Sequence, residues 1–419
     1  MGKAGMEMEG TGMEGTEWAG TGVEETGMDA REMKRFFGRE LLAWYRRGNR
    51  DLPWRRSRDP YYIWVSEIML QQTRVETVIP YFNRFIERFP TVRDLAEAPE
   101  EDVLKLWEGL GYYSRARNLQ AAAREVAERY GGRVPNDVEA VRGLKGVGPY
   151  TAGAILSIAF GRPEPAVDGN VMRVLSRFFC IDEDIARPAT RTGMEALARE
   201  MIPEDAAGDF NQALMELGAL VCTPRSPRCL PCPVMEHCAG RIAGREEELP
   251  VKSKAKPPKP QHRLAVLAVR ADGRVLVRQR PARGLLAKLW ELPHVEAPSA
   301  GVWDSLEAGP AWLAESLALE EGLIVRPNRH FGDAEHVFTH LHWHVRVWGA
   351  SGASFRAPAA ASAAREPFAV REAAPVWEAA SAAGAARADH YRWIDRAEFE
   401  ALAWPNVFRK ILADYFESV

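Results

Sequence analysis

Four of the chain's five cysteines crowd into one short stretch, Cys222-x6-Cys229-x2-Cys232-x5-Cys238. Thiolates bunched in this way, among Pro224, Pro227, Pro231 and Pro233, can wrap a single metal centre. Zinc prefers two CxxC knuckles, whereas iron–sulfur clusters accept uneven loops, so the spacing favours a cluster and leaves zinc open. Cys180, further upstream, reads as a core thiol. Two carboxylates have surroundings suited to proton chemistry. Glu67 lies in the apolar stretch Trp64–Leu70, where burial would raise its pKa and let it hold a proton near neutrality. Asp168, in Ala166-Val167-Asp168-Gly169-Asn170-Val171, directly precedes a helical pattern, and a helix start keeps a carboxylate ionised. One carboxyl pushed up and one pushed down suits glycosidic cleavage. The plainer reading of Asp168 is an N-cap, and that of Glu67 a buried ion-pair partner.

Two further stretches suit nucleic acid. Arg46, Arg47, Arg50, Arg55, Arg56 and Arg58 interleave with Trp44, Tyr45 and Trp54, a mixture fit for phosphate contact and stacking on an extruded base. Leu144-Lys145-Gly146-Val147-Gly148-Pro149-Tyr150-Thr151-Ala152 separates two helical stretches. Gly146 and Gly148 allow positive φ and close approach, Pro149 suits a first helical position, and the free N–H groups there can hold a phosphate. Standing alone, this would be only a tight interhelical turn.

The elements that must position these residues are legible in the periodicity. Val75–Phe89, Glu101–Trp107, Ser114–Tyr130 and Tyr150–Phe160 show helical spacing. The pattern changes after 241–262, a Lys- and Pro-rich linker. Arg263–Arg270 and Arg274–Arg280 read as strands around Ala271-Asp272-Gly273, and His342–Val347 and His390–Ile394 add two more. Residues 9–28 repeat with a period of five and 1–29 read as a disordered tail, with Met33 an alternative start. Residues 350–388 are Ala-, Gly- and Ser-rich and read as a surface insertion.

Composition bounds the answer. The 419 residues suggest two or three domains, and no apolar run approaches the roughly 20 residues that span a bilayer. Five cysteines are too few for a disulfide scaffold and fit a reducing compartment. Residues 1–29 carry a net charge of −6, so the whole-chain value of −3 conceals +3 on the remainder.

The cysteine loop following a helical region resembles the 4Fe–4S loop of the endonuclease III and MutY glycosylase superfamily, and the hairpin resembles its helix-hairpin-helix motif. The resemblance implies an all-α helix-hairpin-helix glycosylase domain (30–221), a 4Fe–4S loop (222–240) held by Cys222, Cys229, Cys232 and Cys238, the linker, and an α+β Nudix-like (MutT-like) domain (263–419). In that family the carboxylate of a Val-Asp-x-Asn-Val segment is catalytic, which implies Asp168. The Glu of Ser-Glu-x-Met-Leu-Gln-Gln-Thr, here Ser66–Thr73, is the acid of the adenine-specific branch, which implies Glu67. Lyase members carry a Lys where this chain has Tyr150, so the implied cleavage is hydrolytic. By the same resemblance Tyr150 and Asn170 support the chemistry, Arg50, Leu52, Trp54, Arg55 and Gln212 line the adenine pocket, and Gln72, Thr73 and Tyr112 meet the duplex, with Gln72 and Tyr112 as its wedge. Gly146, Val147 and Gly148 grip its backbone.

In the C-terminal region Gly284–Pro293 is the stretch similar to the family's Nudix-like domain. Ala314–Gly322 lacks the Arg and the acidic spacing of a magnesium-holding Nudix helix, which implies a binding module. Phe338-Thr339-His340 matches the loop that recognises 8-oxoguanine. The expected partner is duplex DNA with A:8-oxoguanine or A:G mispairs, and the expected setting is a monomer in the cytoplasm of a bacterial-type cell, at the nucleoid. An endonuclease III-like pyrimidine glycosylase and a non-catalytic iron–sulfur DNA-binding sensor are the competing readings. Tyr150 and the extra domain weigh against the first, and the paired carboxylates against the second. His336, His342 and His344, at alternate strand positions, read as surface chemistry.

Overall fold

Side-chain caps set the helix starts of the N-terminal half. Asp29 accepts from the Glu32 N–H at 2.8 Å and closes a capping box on α1 (Ala30–Gly48). Asp59 accepts from the Tyr61 N–H at 2.8 Å, and Pro60 opens α2 (Pro60–Leu70), where its missing N–H leaves nothing unpaired. The helices continue as α3 (Val75–Arg88), α4 (Val92–Glu97), α5 (Glu100–Leu106), α6 (Ser114–Arg129), α7 (Val138–Gly143), α8 (Pro149–Phe160), α9 (Gly169–Phe178), α10 (Pro188–Met201), α11 (Ala207–Leu220) and α12 (Ala239–Ile242). The computed structural model describes residues 29–254, 256–356 and 390–418. The period-five repeat therefore lies outside the described residues, as do residues 357–388 of the Ala-rich insertion; its expected start is corrected, since Ala350 and Ser351 end a paired strand, Leu341–Ser351, and Ser354–Phe355 form another.

The chain divides into two compact units, Met1–Ala98 with Asn118–Lys254, and Pro99–Arg117 with Ala255–Val419. In the first, α2 and α8 are apolar on nearly every side, which makes them core helices. Met33, Phe37 and Leu41 of α1 share a core with Phe178 of α9 and Phe210, Leu214 and Leu217 of α11. The Phe37 and Phe178 rings meet edge to face at 4.6 Å.

The second unit is α+β, as expected. Its strands are β1 (Lys259–Val269), β2 (Val275–Gln279), β3 (Trp290–Glu291), β4 (His294–Glu296), β5 (Leu323–Ile324), β6 (Pro327–Val337), β7 (Leu341–Ser351), β8 (Ser354–Phe355) and β9 (Tyr391–Ile394). The main sheet runs β3-β2-β1-β7-β6, with β4 beside β1 and β9 beside β2; β1 and β7 are parallel. Alternation along the strands fills both faces. Leu264, Val266 and Ala268 pack on Leu313 and Leu317 of the helix Ala308–Glu320. Ala265 and Leu267 pack toward Phe408, Ile411 and Leu412 of the helix Asn406–Ser418. β1 begins at Lys259, inside the stretch read as linker, because Lys259–His262 pair in register with Leu341–His344. That partner lies too far along the chain for local composition to reveal it. Among the described residues no helix is long and apolar enough to cross a membrane.

Candidate active site

In the first unit three helices bring the two carboxylates to one cavity of about 160 Å³. Glu67 projects from buried α2 and is itself only 4% exposed. Tyr150, on the first turn of α8, donates its hydroxyl to Glu67 Oε2 at 2.5 Å and also lies 3.2 Å from Met215 Sδ. Asp168 is the N-cap of α9: Oδ1 accepts from the Val171 N–H at 2.8 Å and Oδ2 from Asn170 Nδ2 at 2.9 Å. Arg173 fixes the orientation of that amide, donating from Nη2 to Asn170 Oδ1 at 2.8 Å. Gly218 of α11 makes this packing possible, since a Cβ there would stand 2.7 Å from Asn170 Cβ.

Burial pushes the Glu67 carboxyl up to about 7; the Asp168 charge adds to the rise, while Tyr150's hydrogen bond and Arg55's charge oppose it. Asp168 departs from the expectation of a depressed value. Burial raises it despite the hydrogen bonds from Val171 and Asn170 and the charge of Arg173. A helix start supplies donors but does not restore the water that burial removes. The Asp168 charge is among the causes that raise Glu67, so an ionised Asp168 helps Glu67 keep its proton.

Two arginines paired with a glutamate also line the cavity. Glu216 of α11 accepts from Arg50 at Nε (2.9 Å), Nη2 (2.8 Å) and the backbone N–H (3.1 Å), and from Arg55 Nη2 at 2.8 Å. Burial alone would raise Glu216; the two arginines instead hold it at about 2. Leu52, Trp54, Thr73 and Gln212 line the same cavity, so the structure gathers Arg50, Leu52, Trp54, Arg55, Glu67, Thr73, Tyr150, Asp168, Asn170 and Gln212 together. Sequence reasoning missed Glu216 and Met215. Their one signal is position: Glu216 follows Gln212 by one helical turn.

The hairpin Leu144–Gly148 joins α7 to α8. Gly146 has φ 82° and faces Asn118, whose Cβ would lie 2.8 Å from an added Cβ. Val147 is buried beneath it. Gly148 is corrected: its φ is −90° with open space around it, so only Gly146 needs glycine for its conformation. Gln72, at the end of α2, is exposed with φ 58°. A left-handed non-glycine residue is strained, and such strain concentrates where a side chain is held for use.

Cys222, Cys229, Cys232 and Cys238 face one cavity, which Cys180 does not line. Arg177, 2% exposed, anchors the loop through Nη1 to the Thr223 carbonyl at 2.7 Å and Nε to the Leu249 carbonyl at 2.9 Å. Burial pushes the Cys232 thiol up to about 12 and the Cys238 thiol up to about 11, with the neighbouring cysteines adding to both. Buried thiols that disfavour one another's charge suit a cationic centre that takes all four as thiolates. A single zinc would draw tetrahedral sulfurs to about 3.8 Å from one another. Among the described residues one trio of candidate ligand atoms lies mutually within 4.8 Å, and these sulfurs do not form it. Four sulfur donors facing one cavity suit a soft metal centre.

In the second unit, Phe338-Thr339-His340 forms the turn between β6 and β7. Thr339 Oγ1 lies 3.3 Å from the hydroxyl of Tyr112, an exposed residue with φ 46°. Phe338 packs edge-on against Trp343 at 5.0 Å. Tyr112, Phe338, Thr339 and His340 border a cavity of about 390 Å³. Behind the sheet, Glu321 is committed to Arg278 and Tyr391.

Comparison with known proteins fixes the class first. Residues 65–203 match the HhH-GPD superfamily of base excision DNA repair proteins, and residues 265–414 match the NUDIX domain. The chain is 38% identical over 377 residues to the adenine DNA glycosylase of Homo sapiens, covering 77% of this chain and 68% of that one. It is 34% identical over 365 residues to that of Schizosaccharomyces pombe, covering 73% and 79%. A solved thermostable thymine-DNA glycosylase shares 32% identity with a TM-score of 0.48, covering 51% of this chain and all of that one. The chain is an enzyme of the adenine DNA glycosylase family.

Proposed function

We propose that the protein is a monofunctional glycosylase that hydrolyses the N-glycosidic bond of adenine mispaired with 8-oxoguanine or guanine in duplex DNA. The observation that carries the chemistry is a buried acid and a second carboxylate in one cavity, the acid poised near pH 7. In this reading Arg50, Leu52, Trp54, Arg55 and Gln212 receive the extruded adenine. Glu67 gives its proton to adenine N7, and the bond from C1′ to N9 breaks with its electrons leaving on the base. Asp168, ionised and held by Val171 and Asn170, stabilises the oxocarbenium-like sugar. Water adds at C1′ and loses a proton, leaving free adenine and an abasic site. Tyr150 holds Glu67 in place and, having no amine, forms no imine with the sugar.

Gly146, Val147 and Gly148 hold the DNA backbone through free N–H groups, and Gln72, Thr73 and Tyr112 separate the strands. Thr339, within hydrogen-bond reach of Tyr112, reads the opposite base, with Phe338 and His340 framing it. The boundaries we assign are catalysis in 30–221, the cysteine loop in 222–240, the linker to 262, and lesion reading from 263 onward. A 4Fe–4S cluster held by Cys222, Cys229, Cys232 and Cys238 supplies bonds that order the loop bearing Arg225 and Arg228 for phosphate contact. We assign a monomer working at the nucleoid.

Single-turnover release of adenine from an A:8-oxoguanine duplex tests the reaction, and its absence under enzyme excess would sink it. The purified protein should be brown, with iron and sulfide near four each per chain. A colourless protein with one zinc would overturn the cluster.

A further inference from the structure

We propose that Glu335, His342 and His344 form a second metal site, for a divalent first-row transition ion of the zinc, nickel or copper type. The proposal is independent of the catalytic reading above. The three residues bring one ligand atom each to within 4.8 Å of one another, on the two arms of the β6–β7 hairpin. Read along the chain, the two histidines are a strand's outward positions. Strand pairing changes that, because Glu335 is the direct cross-strand partner of His344, and His342 is the next outward residue on the same face.

The geometry is that of a chelate. Glu335 turns Oε1 toward His344 Nδ1 at 3.1 Å and Oε2 toward His342 Nε2 at 3.4 Å. A tetrahedral ion with metal–nitrogen and metal–oxygen bonds near 2.0–2.2 Å sets its ligand atoms about 3.4 Å apart. The imidazole rings lie with centroids 4.1 Å apart, and each offers a nitrogen within 4.8 Å of the other's and of the carboxylate. His342 Nε2 is shielded from solvent and makes no hydrogen bond, its contact with Glu335 Oε2 at 3.4 Å being an ion-pair distance only. A metal ion would satisfy it. His262 of β1 stacks on His344 at 5.3 Å and stands next in the same row across the sheet.

The donor set selects the ion. Two imidazoles and one carboxylate suit zinc, nickel and copper, and magnesium and calcium poorly, since those prefer oxygen throughout. The position suggests what binding does. Val337 and His342 form the last strand pair before the turn Phe338-Thr339-His340, so an ion there would pin the hairpin at its tip.

The test is calorimetric titration of the full chain, carrying its cysteine centre, with Ni2+ and separately with Mg2+. We expect one nickel per chain beyond whatever the cysteines hold, and no magnesium. His342→Ala and His344→Ala should each weaken nickel binding at least tenfold, while His330→Ala, on the same hairpin but outside the trio, should leave it unchanged. Glu335→Gln guards against a folding defect in the alanine variants; it should retain the circular dichroism of the parent and still bind nickel more weakly. Electron paramagnetic resonance of one added Cu2+ should show hyperfine coupling to two imidazole nitrogens. No nickel uptake at micromolar metal, equal affinity in the His342 variant, or a copper signal with no nitrogen coupling would each overturn the site.

Discussion

Glu67 in the first unit and Glu291 in the second are buried to nearly the same depth, at 4% and 1% exposure, yet their carboxyls move in opposite directions. Glu67 is pushed up to about 7 by burial. Burial also favours the neutral form of Glu291, but His294, Arg278 and Arg280 overcome it and hold the carboxyl well below its ordinary range. The contacts explain the split. Arg278 Nε lies 2.8 Å and Arg280 Nη1 2.7 Å from Glu291, with His294 Nε2 at 2.9 Å. Glu67 has a phenol hydroxyl at 2.5 Å and an anion, Asp168, among its neighbours. Glu216 makes the same point within the catalytic cavity, where Arg50 and Arg55 hold it near 2. A buried carboxylate enclosed by guanidinium groups is architecture; one left with a hydroxyl is a proton store.

The sharpest way to break this contrast is to neutralise each carboxylate. Glu67→Gln should slow base release about 10²–10⁴-fold, since the amide keeps the shape and loses the proton. Its effect on stability should run the other way. A folded-state carboxyl raised from 4.5 to about 7 loses the protein roughly 3 kcal/mol as pH climbs through that window, and the amide escapes the loss. Denaturant melts of both proteins at pH 5 and pH 8 check it: the gap between parent and variant should be small at pH 5 and widen toward the full value at pH 8. Wild-type base release by Glu67→Gln would falsify the assignment of the acid.

Glu291→Gln should do the reverse. It leaves buried arginines short of a partner and should destabilise the second unit by about 3 kcal/mol or more, with base release per folded molecule little changed. Equal stability of this variant and the parent would mean that the ion pairs around Glu291 contribute nothing net.

A smaller effect follows from pH alone. The single-turnover rate should fall as pH rises above about 7, approaching tenfold per unit, because only protonated Glu67 donates. A rate that is flat from pH 6 to 9 would place the proton elsewhere. The smallest effect belongs to the exposed turn of the second unit. Thr339→Ala should lower the preference for 8-oxoguanine over guanine opposite adenine by about 1 kcal/mol, the worth of one hydrogen bond, read as the ratio of rates on the two duplexes. This substitution is a cleaner probe than cutting the chain near residue 250. Pro99–Arg117 belongs to the second unit, where the Tyr113 hydroxyl donates to the Trp404 carbonyl at 2.9 Å and Glu108 accepts from the Trp404 N–H at 2.9 Å. Truncation would strip those partners from the buried Tyr113 as well as removing the turn.

The sequence by itself determined a good deal. Cap residues and periodicity place α8 and α9, because an Asp before a helix and a Pro at its first turn act locally. The cysteine spacing, the Ser66–Thr73 and Val167–Val171 segments and the hairpin glycine are likewise written in consecutive residues. Tertiary structure decided what depends on distant neighbours. It set the direction of Asp168, where burial outweighs the helix start, and brought Glu216 of α11 to Arg50 and Arg55 of the N-terminal segment. It began β1 at Lys259 through pairing with Leu341, and turned two outward histidines and a glutamate into one cluster. The reason is common to all four. Periodicity and caps report interactions a few residues apart, whereas desolvation and charge pairing depend on which segments the fold brings together.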